Sequence, residues 1–223
     1  MIAAAFSDEF RETGRVWSRD ALDDKTLQQL DLAADHGTRP GARLTTGQST
    51  RILATDGPVT QMIRRFYPLA FPVRLVAFNK SDAGNWSVPW HQDRVIAVQE
   101  RHDLPGFSNW SNKAGLWHCE PPAAILADML FVRVHLDDAG AQDGAMEIAL
   151  GSHRLGVVRA SDASSAATTC KTEMCSARRG DILIMNMLLL HRSKPSQTAN
   201  RRRVLRIDYA VKNLPQPLQW VAV

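Results

Sequence analysis

At 223 residues and 44% hydrophobic content the chain suits one well-buried domain, and 27 basic against 23 acidic residues leave a net charge of only +4, too small a bias for a nucleic-acid binder. No run approaches the ~20 apolar residues of a membrane span, and the opening MIAAAFSDEF meets acids too early, and lacks the basic start, to be a secretory signal. Three cysteines, Cys119, Cys170 and Cys175, have no metal-type spacing and read as free thiols of a cytoplasmic protein. In chain order, the first predicted element is a helix over residues 20–36 (DALDDKTLQQLDLAADH). Asp20 or Asp23 can cap it, and Leu22, Leu27, Leu30 and Leu32 give its apolar stripe. A second helix is predicted over residues 58–67, opened by Pro58 at a first-turn position.

From residue 72 the texture changes to short β-rich runs: VRLVAFN, WSVPWHQD, LFVRVHL, AMEIAL, DILIMN and VLRIDYAV. Turn chemistry separates them at Asp82-Ala83-Gly84-Asn85, Asp137-Asp138-Ala139-Gly140, Gly151-Ser152 and Arg179-Gly180-Asp181. This punctuation predicts an all-β sandwich or barrel with the two helices packed outside it. Residues 99–124 interrupt the pattern with Pro105, Gly106, Gly115, Pro121 and Pro122. They are expected to form a long, lid-like loop.

The chemistry starts at His91-Gln92-Asp93. In an extended strand, side chains at i and i+2 point to the same side, so His91 and Asp93 can reach one metal. With His191 they would make the two-histidine, one-carboxylate ligand set of non-haem Fe(II) oxygenases, which leaves one face of the ion open. His191 lies 98 residues beyond Asp93, so the fold must bring two distant strands together. Alone, an H-x-D triplet is weak, because seven histidines and 23 acids produce it by chance; the alternative is a surface polar pair. Eleven residues after His191 stands Arg202, within Arg201-Arg202-Arg203. That run is too short for a nucleic-acid patch, and no aromatics interleave with it. A guanidinium fork does suit a carboxylate, which a hydroxyl such as Ser193 can share.

Over residues of about 72–211 the chain resembles the phytanoyl-CoA dioxygenase family of Fe(II)/2-oxoglutarate-dependent oxygenases. The motifs stand in the family's order: Asn79-Lys80, His91-Gln92-Asp93, Gly151-Ser152-His153-Arg154, His191 with Ser193, then Arg202. The resemblance implies one domain over residues 1–223 that is mainly β, a cupin-like double-stranded β-helix (jelly roll) with flanking N-terminal helices. It implies iron on His91, Asp93 and His191. It also implies 2-oxoglutarate held through its far carboxylate by Arg202, with Ser193 and Lys80 helping. Gly151 to Arg154 would be a structural turn beside the site. With O2 the family's chemistry releases succinate and CO2 and hydroxylates a C–H bond, and Asp93 argues against halogenation. The same ligands serve desaturation, epimerisation or ring formation. The rival from another class, a non-catalytic metal- or ligand-binding jelly roll, would not need Lys80, Ser193 and Arg202 together.

The chain departs from the family in being shorter at the N-terminus. It also places Arg133 where other members carry an aromatic residue lining the cofactor pocket. Arg133 and His135 share a face, which points either into the pocket or outward to solvent. Trp86 and Trp90 flank the first metal strand and read as core or rim packing. Arg94, Trp110, Trp117 and His118, with Arg133, are candidates for the substrate mouth. The positive charge of Arg94, His118 and Arg133 suggests a small, anionic substrate; the short basic run and the lack of an apolar span lead to no expected nucleic-acid or membrane partner.

Overall fold

The computed structural model describes residues 2–34, 42–43, 56–80, 85–113, 115–198 and 202–221. Its helices are α1 (Ile2–Thr13), α2 (Asp24–Ala34), α3 (Pro58–Arg64), α4 (Ala123–Ala127) and α5 (Ala163–Thr168). The strands are β1 (Arg15–Ser18), β2 (Ala42–Arg43), β3 (Phe71–Lys80), β4 (Val88–His91), β5 (Ile96–Val98), β6 (Ser108–Lys113) and β7 (Leu116–Glu120). They continue with β8 (Leu130–His135), β9 (Met146–Ala149), β10 (Thr172–Met174), β11 (Ile182–Asn186), β12 (His191–Ser193) and β13 (Arg202–Ala210). A six-stranded sheet runs β1-β11-β8-β13-β3-β2 and a four-stranded sheet runs β10-β9-β12-β4. Every pairing in both is antiparallel. Together they make the expected jelly roll. No described helix is long and apolar enough to cross a membrane.

Strand alternation sorts the six-stranded sheet into two faces. Val132 and Val134 of β8, Ile182 and Ile184 of β11, and Leu205, Ile207 and Tyr209 of β13 turn outward. They pack under Leu27 and Leu30 of α2 and under Val59 and Ile63 of α3. Tyr209 is wholly buried, and its hydroxyl meets Thr60 of α3 at 2.9 Å. The opposite face carries Phe131 and Arg133 of β8, Arg202 and Arg206 of β13, and Arg74 and Phe78 of β3, which line a cavity between the sheets. Arg206 stands opposite Arg133, and Asp208 opposite Arg74. The six-stranded sheet is therefore apolar towards the helices and basic towards the cavity.

Several expectations need adjustment. The first predicted helix starts at Asp24, after Asp23, whose carboxylate accepts the Thr26 N–H at 2.8 Å. Leu22, Leu27 and Leu30 are buried as expected, but Leu32 is 79% exposed and has no place on the stripe. Residues 35–36 of that prediction, and Asp82 to Gly84 of the first turn, lie outside the described residues. The second helix ends at Arg64 and continues as a turn, with Tyr67 N–H donating to Ile63 O. α1 and β1 were not anticipated. Nor was the segment 99–124 a lid-like loop: β6 and β7 pair antiparallel within it, and β7 also pairs β5. β6 is polar and mostly exposed, so strand pairing holds it, whereas β7 buries His118 and Cys119.

Candidate metal centre and its cavity

Strands β4 and β12 are neighbours, and His91 lies directly opposite His191. Their rings are 4.2 Å apart. Asp93 follows just past the end of β4. One ligand atom from each of His91, Asp93 and His191 lies within 4.8 Å of the others, and His191 Nε2 is 3.3 Å from Asp93 Oδ2. His91 Nδ1 donates to Pro89 O at 2.8 Å, and His191 Nδ1 donates to Leu189 O at 2.9 Å. A carbonyl can only accept, so the proton of each ring sits on Nδ1 and both Nε2 lone pairs are free for a metal. Burial, then the charge of His191, lowers the pKa of His91 and favours its neutral, ligating form.

Asp93 is held by a residue that the sequence reading missed. Arg206 Nη1 donates to Asp93 Oδ2 at 2.5 Å, while its other edge bonds Asp208 at 2.6 and 3.0 Å. The guanidinium also lies over the Phe131 ring, 4.0 Å from its centroid. Burial alone would raise the pKa of Asp93; Arg206 and the two histidines outweigh it and hold the carboxyl well below the usual range. The signal was present in the sequence, because Arg206 shares the alternation of Arg202 along one strand.

Two further contacts place the ligands. Gln92 points away from the cavity: its Nε2 donates to Leu188 O at 2.7 Å and Gly156 O at 2.8 Å, and its Oε1 accepts Val158 N–H at 2.8 Å. It thereby ties the His91–Asp93 segment to the chain leading into His191. Ser152 Oγ accepts the Leu190 N–H at 2.9 Å, beside His191. Gly151, at φ +77°, makes the turn that delivers Ser152; a Cβ there would come within 2.9 Å of Arg154 Nη2 and 3.3 Å of Glu12 O. Gly151 to Arg154 thus form a supporting turn.

The three candidate ligand residues open on a cavity of about 220 Å³, also lined by Arg74, Phe78, Trp86, Arg133, Ser193, Arg202 and Arg206. Arg133 and Arg202 are buried, and the Nε of each has no hydrogen-bond partner among the described residues. Burial, then Arg202, pushes Arg133 down to about 9; burial pushes Arg202 down to about 10. Both stay charged at neutral pH, Arg202 with partial support from Asp143. Nitrogen and carboxylate donors suit a divalent transition metal, and paired buried guanidinium groups suit a dicarboxylate. The residues therefore fit iron and 2-oxoglutarate.

The other expected site residues fall in different places. Lys80 is buried beside Arg202, its partner in the strand register, and donates to Lys194 O at 2.5 Å; it is not among the cavity-lining residues. Burial, then Arg202 and Arg133, pushes it down to about 8. Arg203 faces the other way, towards Asp137 and Asp31, and Arg201 lies outside the described residues. Arg133 faces the cavity, not solvent. Arg94, Trp110, Trp117 and His118 do not line it. Arg94 turns to Glu120 and Val158 O. Trp110 and Trp117 meet edge to face, 6.4 Å apart, and pack on the cluster around Ile96, Val98 and Phe107. His118 is buried on β7, bonded to Leu116 O. The strands of the 99–124 segment carry them away from the metal centre. Trp86 lines the cavity, while Trp90 is buried against Ala163 and Ala167 of α5.

A family model described as phytanoyl-CoA dioxygenase matches residues 10–204. No curated protein matches the chain. Among solved structures, AviO1 from Streptomyces viridochromogenes Tue57 is 20% identical, with 96% of each chain covered and a TM-score of 0.66. The non-haem alpha-ketoglutarate-dependent epimerase SnoN from nogalamycin biosynthesis is 14% identical over 97% of this chain and 90% of its own, at a TM-score of 0.67. HygX from Streptomyces hygroscopicus, with nickel and 2-oxoglutarate bound, is 15% identical over 92% of this chain and 85% of its own, at a TM-score of 0.63. At these identities the likeness speaks for the fold.

Proposed function

Because the chain belongs to the phytanoyl-CoA dioxygenase family of Fe(II)/2-oxoglutarate-dependent oxygenases, we propose that it hydroxylates a C–H bond of a small molecule, with release of succinate and CO2. One observation carries this: two histidines protonated on Nδ1 and one held carboxylate converge beside a cavity that presents two buried guanidinium groups, each with an unpartnered Nε. HygX, of similar fold, holds a metal and 2-oxoglutarate together.

His91, Asp93 and His191 would hold the iron, and Arg202 and Ser193 the far carboxylate of 2-oxoglutarate, with Lys80 lending charge from behind. When bound, iron and 2-oxoglutarate supply the oxidant by consuming O2. The chain's own part is placement and exclusion of water. Pro89 and Leu189 carbonyls fix the histidine tautomers, Arg206 fixes Asp93, and Phe78, Phe131 and Trp86 wall the cavity. A cavity of about 220 Å³ lies below the roughly 300 Å³ at which pockets for drug-sized ligands begin, which favours a small substrate. Three unpaired cysteines suit a reducing, cytoplasmic setting. Epimerisation is the second reading, favoured by SnoN, an epimerase of similar fold.

The test is Fe(II) binding and succinate release in the wild type, His91→Ala and His191→Ala, against pools of small acids. Both variants are expected to fold, judged by circular dichroism, and to lose metal binding and 2-oxoglutarate turnover. Full activity in either would remove the assignment. A product isomeric with its substrate would select epimerisation.

A further inference from the structure

The cavity wall carries more positive charge than the proposed function uses. Arg74, Lys80, Arg133, Arg202 and Arg206 all lie on the inner side of the six-stranded sheet, and the carboxylates acting on them include Asp208, Asp93 and, towards Arg202, Asp143. Arg206 takes both acids, and Arg74 sits 3.6 Å from Asp208. Lys80 is bonded to a carbonyl. Arg133 and Arg202 remain, each buried with an unpartnered Nε.

These two arginines start from different rows of the sheet. Arg133 stands opposite Arg206, the residue that holds Asp93, whereas Arg202 lies four residues further along β13. At ~3.3 Å per residue their rows are about 13 Å apart along the strand. Arg133 thus starts from the row of the residue that holds Asp93 and Arg202 from the row of Lys80, although their guanidinium groups reach towards each other inside the cavity. The Arg133 guanidinium is also flanked by the Phe131 and Phe78 rings, 5.9 and 6.0 Å from their centroids. Such rings orient a cation and exclude water but do not neutralise it. A buried cation without an anion is costly, and a fork in a dry site pairs best with a carboxylate.

We propose that Arg133 is a second carboxylate-binding residue of the cavity, distinct from Arg202 and presented from β8 between the Phe78 and Phe131 rings. Its ligand is either the keto-acid end of the co-substrate or an acid group of the substrate itself. The inference rests on the proposed function for the identity of the co-substrate, and not for the demand for an anion. Asp143 acts on Arg202, whereas Arg133 has no hydrogen-bonded acid of its own among the described residues, which favours an acidic group on the molecule that reaches it.

The experiment uses the full chain loaded with Mn(II), which does not turn over. Wild type, Arg133→Met and Arg202→Met are titrated calorimetrically with 2-oxoglutarate and with 2-oxobutanoate, which lacks the far carboxylate. The 2-oxoglutarate-loaded and metal-free proteins are then titrated with benzoate. If Arg133 takes the keto-acid end, Arg133→Met weakens both keto acids tenfold or more, while Arg202→Met weakens only 2-oxoglutarate. If it takes a substrate acid, Arg133→Met spares both keto acids and removes the benzoate binding seen with the loaded wild type. Unchanged binding of all three ligands in Arg133→Met overturns the proposal.

Thermal melting gives a second readout. Arg133→Met removes an uncompensated buried charge, so the ligand-free variant should melt no lower than wild type. The acids should raise the wild-type Tm more than the variant's, and equal rises count against the proposal. Should the methionine variant misfold, Arg133→Lys keeps the charge without the fork and should show a smaller loss. A wild type that binds benzoate through Arg133 but no 2-oxoglutarate would remove the proposed function and leave this inference standing.

Discussion

Arg206 Nη1 donates to Asp93 Oδ2 at 2.5 Å, so the carboxylate proposed to bind the metal is positioned from the middle of the opposite sheet. The same guanidinium grips Asp208 through two bonds. Only a planar fork serves both acids; an ammonium is a point charge. Arg206→Lys is expected to fold and to bind Fe(II) or Mn(II) about 10–100-fold more weakly, the usual cost of losing an outer partner of a metal ligand. Anaerobic metal titration measures this. Wild-type affinity would show that Asp93 needs no such support.

Arg202 and Arg203 are neighbours with opposite tasks. Arg202→Ala should leave the far carboxylate of 2-oxoglutarate unpaired, a loss of about 3–5 kcal/mol, which raises its apparent constant a hundredfold or more. Arg203 faces Asp137 and Asp31, at 2.7 and 2.8 Å. Arg203→Ala should leave that constant alone and cost about 1.5–3 kcal/mol of stability. Titration calorimetry and urea unfolding separate the two effects. The reverse ranking would mean that β13 presents its other face to the cavity.

His135 makes folding sensitive to acid. Burial first, and then Arg133, pushes its pKa down to about 3 in the folded chain, against 6.5 for the exposed ring. Between those values the unfolded chain binds the extra proton, so stability rises with pH and falls as pH drops below 6.5. The slope from this residue is about 1.4 kcal/mol per pH unit. Arg202 also disfavours its charged form, and the Asp181 carbonyl and carboxylate partly favour it. In urea unfolding at pH 5 and 7, His135→Gln should lose less stability than wild type on acidification. Equal losses would place the acid sensitivity elsewhere.

Gln92 is a clamp whose amide nitrogen serves two carbonyls. A carboxylate there could donate to neither. Gln92→Glu should cost about 1–3 kcal/mol and weaken metal binding, because the His91–Asp93 segment loses its tie to Leu188. Melting and metal titration on one preparation test both effects. A variant with wild-type values for both would show the tie to be idle.

Much of this was legible in the chain. Period-two alternation and turn residues predicted the β core, and Leu27 and Leu30 predicted the packing of α2. The motif order brought His91, Asp93, His191, Ser193 and Arg202 to one place, because each sits on or beside a strand whose alternation is clear. Arg206 was overlooked, since a basic residue inside an apolar run reads as outward until its cross-strand partner Arg133 is known. The segment 99–124 misled for a different reason. SNWSNK and LWHCE lack apolar alternation, and their strand order comes from pairing with each other, which sequence periodicity does not record. Trp110 and Trp117 followed that segment away from the metal end.

β4 forms the rim of the four-stranded sheet, paired with β12 alone among the described strands, with a register shift between its two paired positions. A rim strand so lightly stitched would ordinarily peel first. A cation gripping His91, Asp93 and His191 would act as a rivet through that seam, adding about 2.7 kcal/mol at a hundred times its dissociation constant. Iron loss and peeling of the rim would then be one event. How long the centre survives under a chelator becomes a question of strand mechanics, readable as hydrogen exchange at residues 88–91 with and without metal.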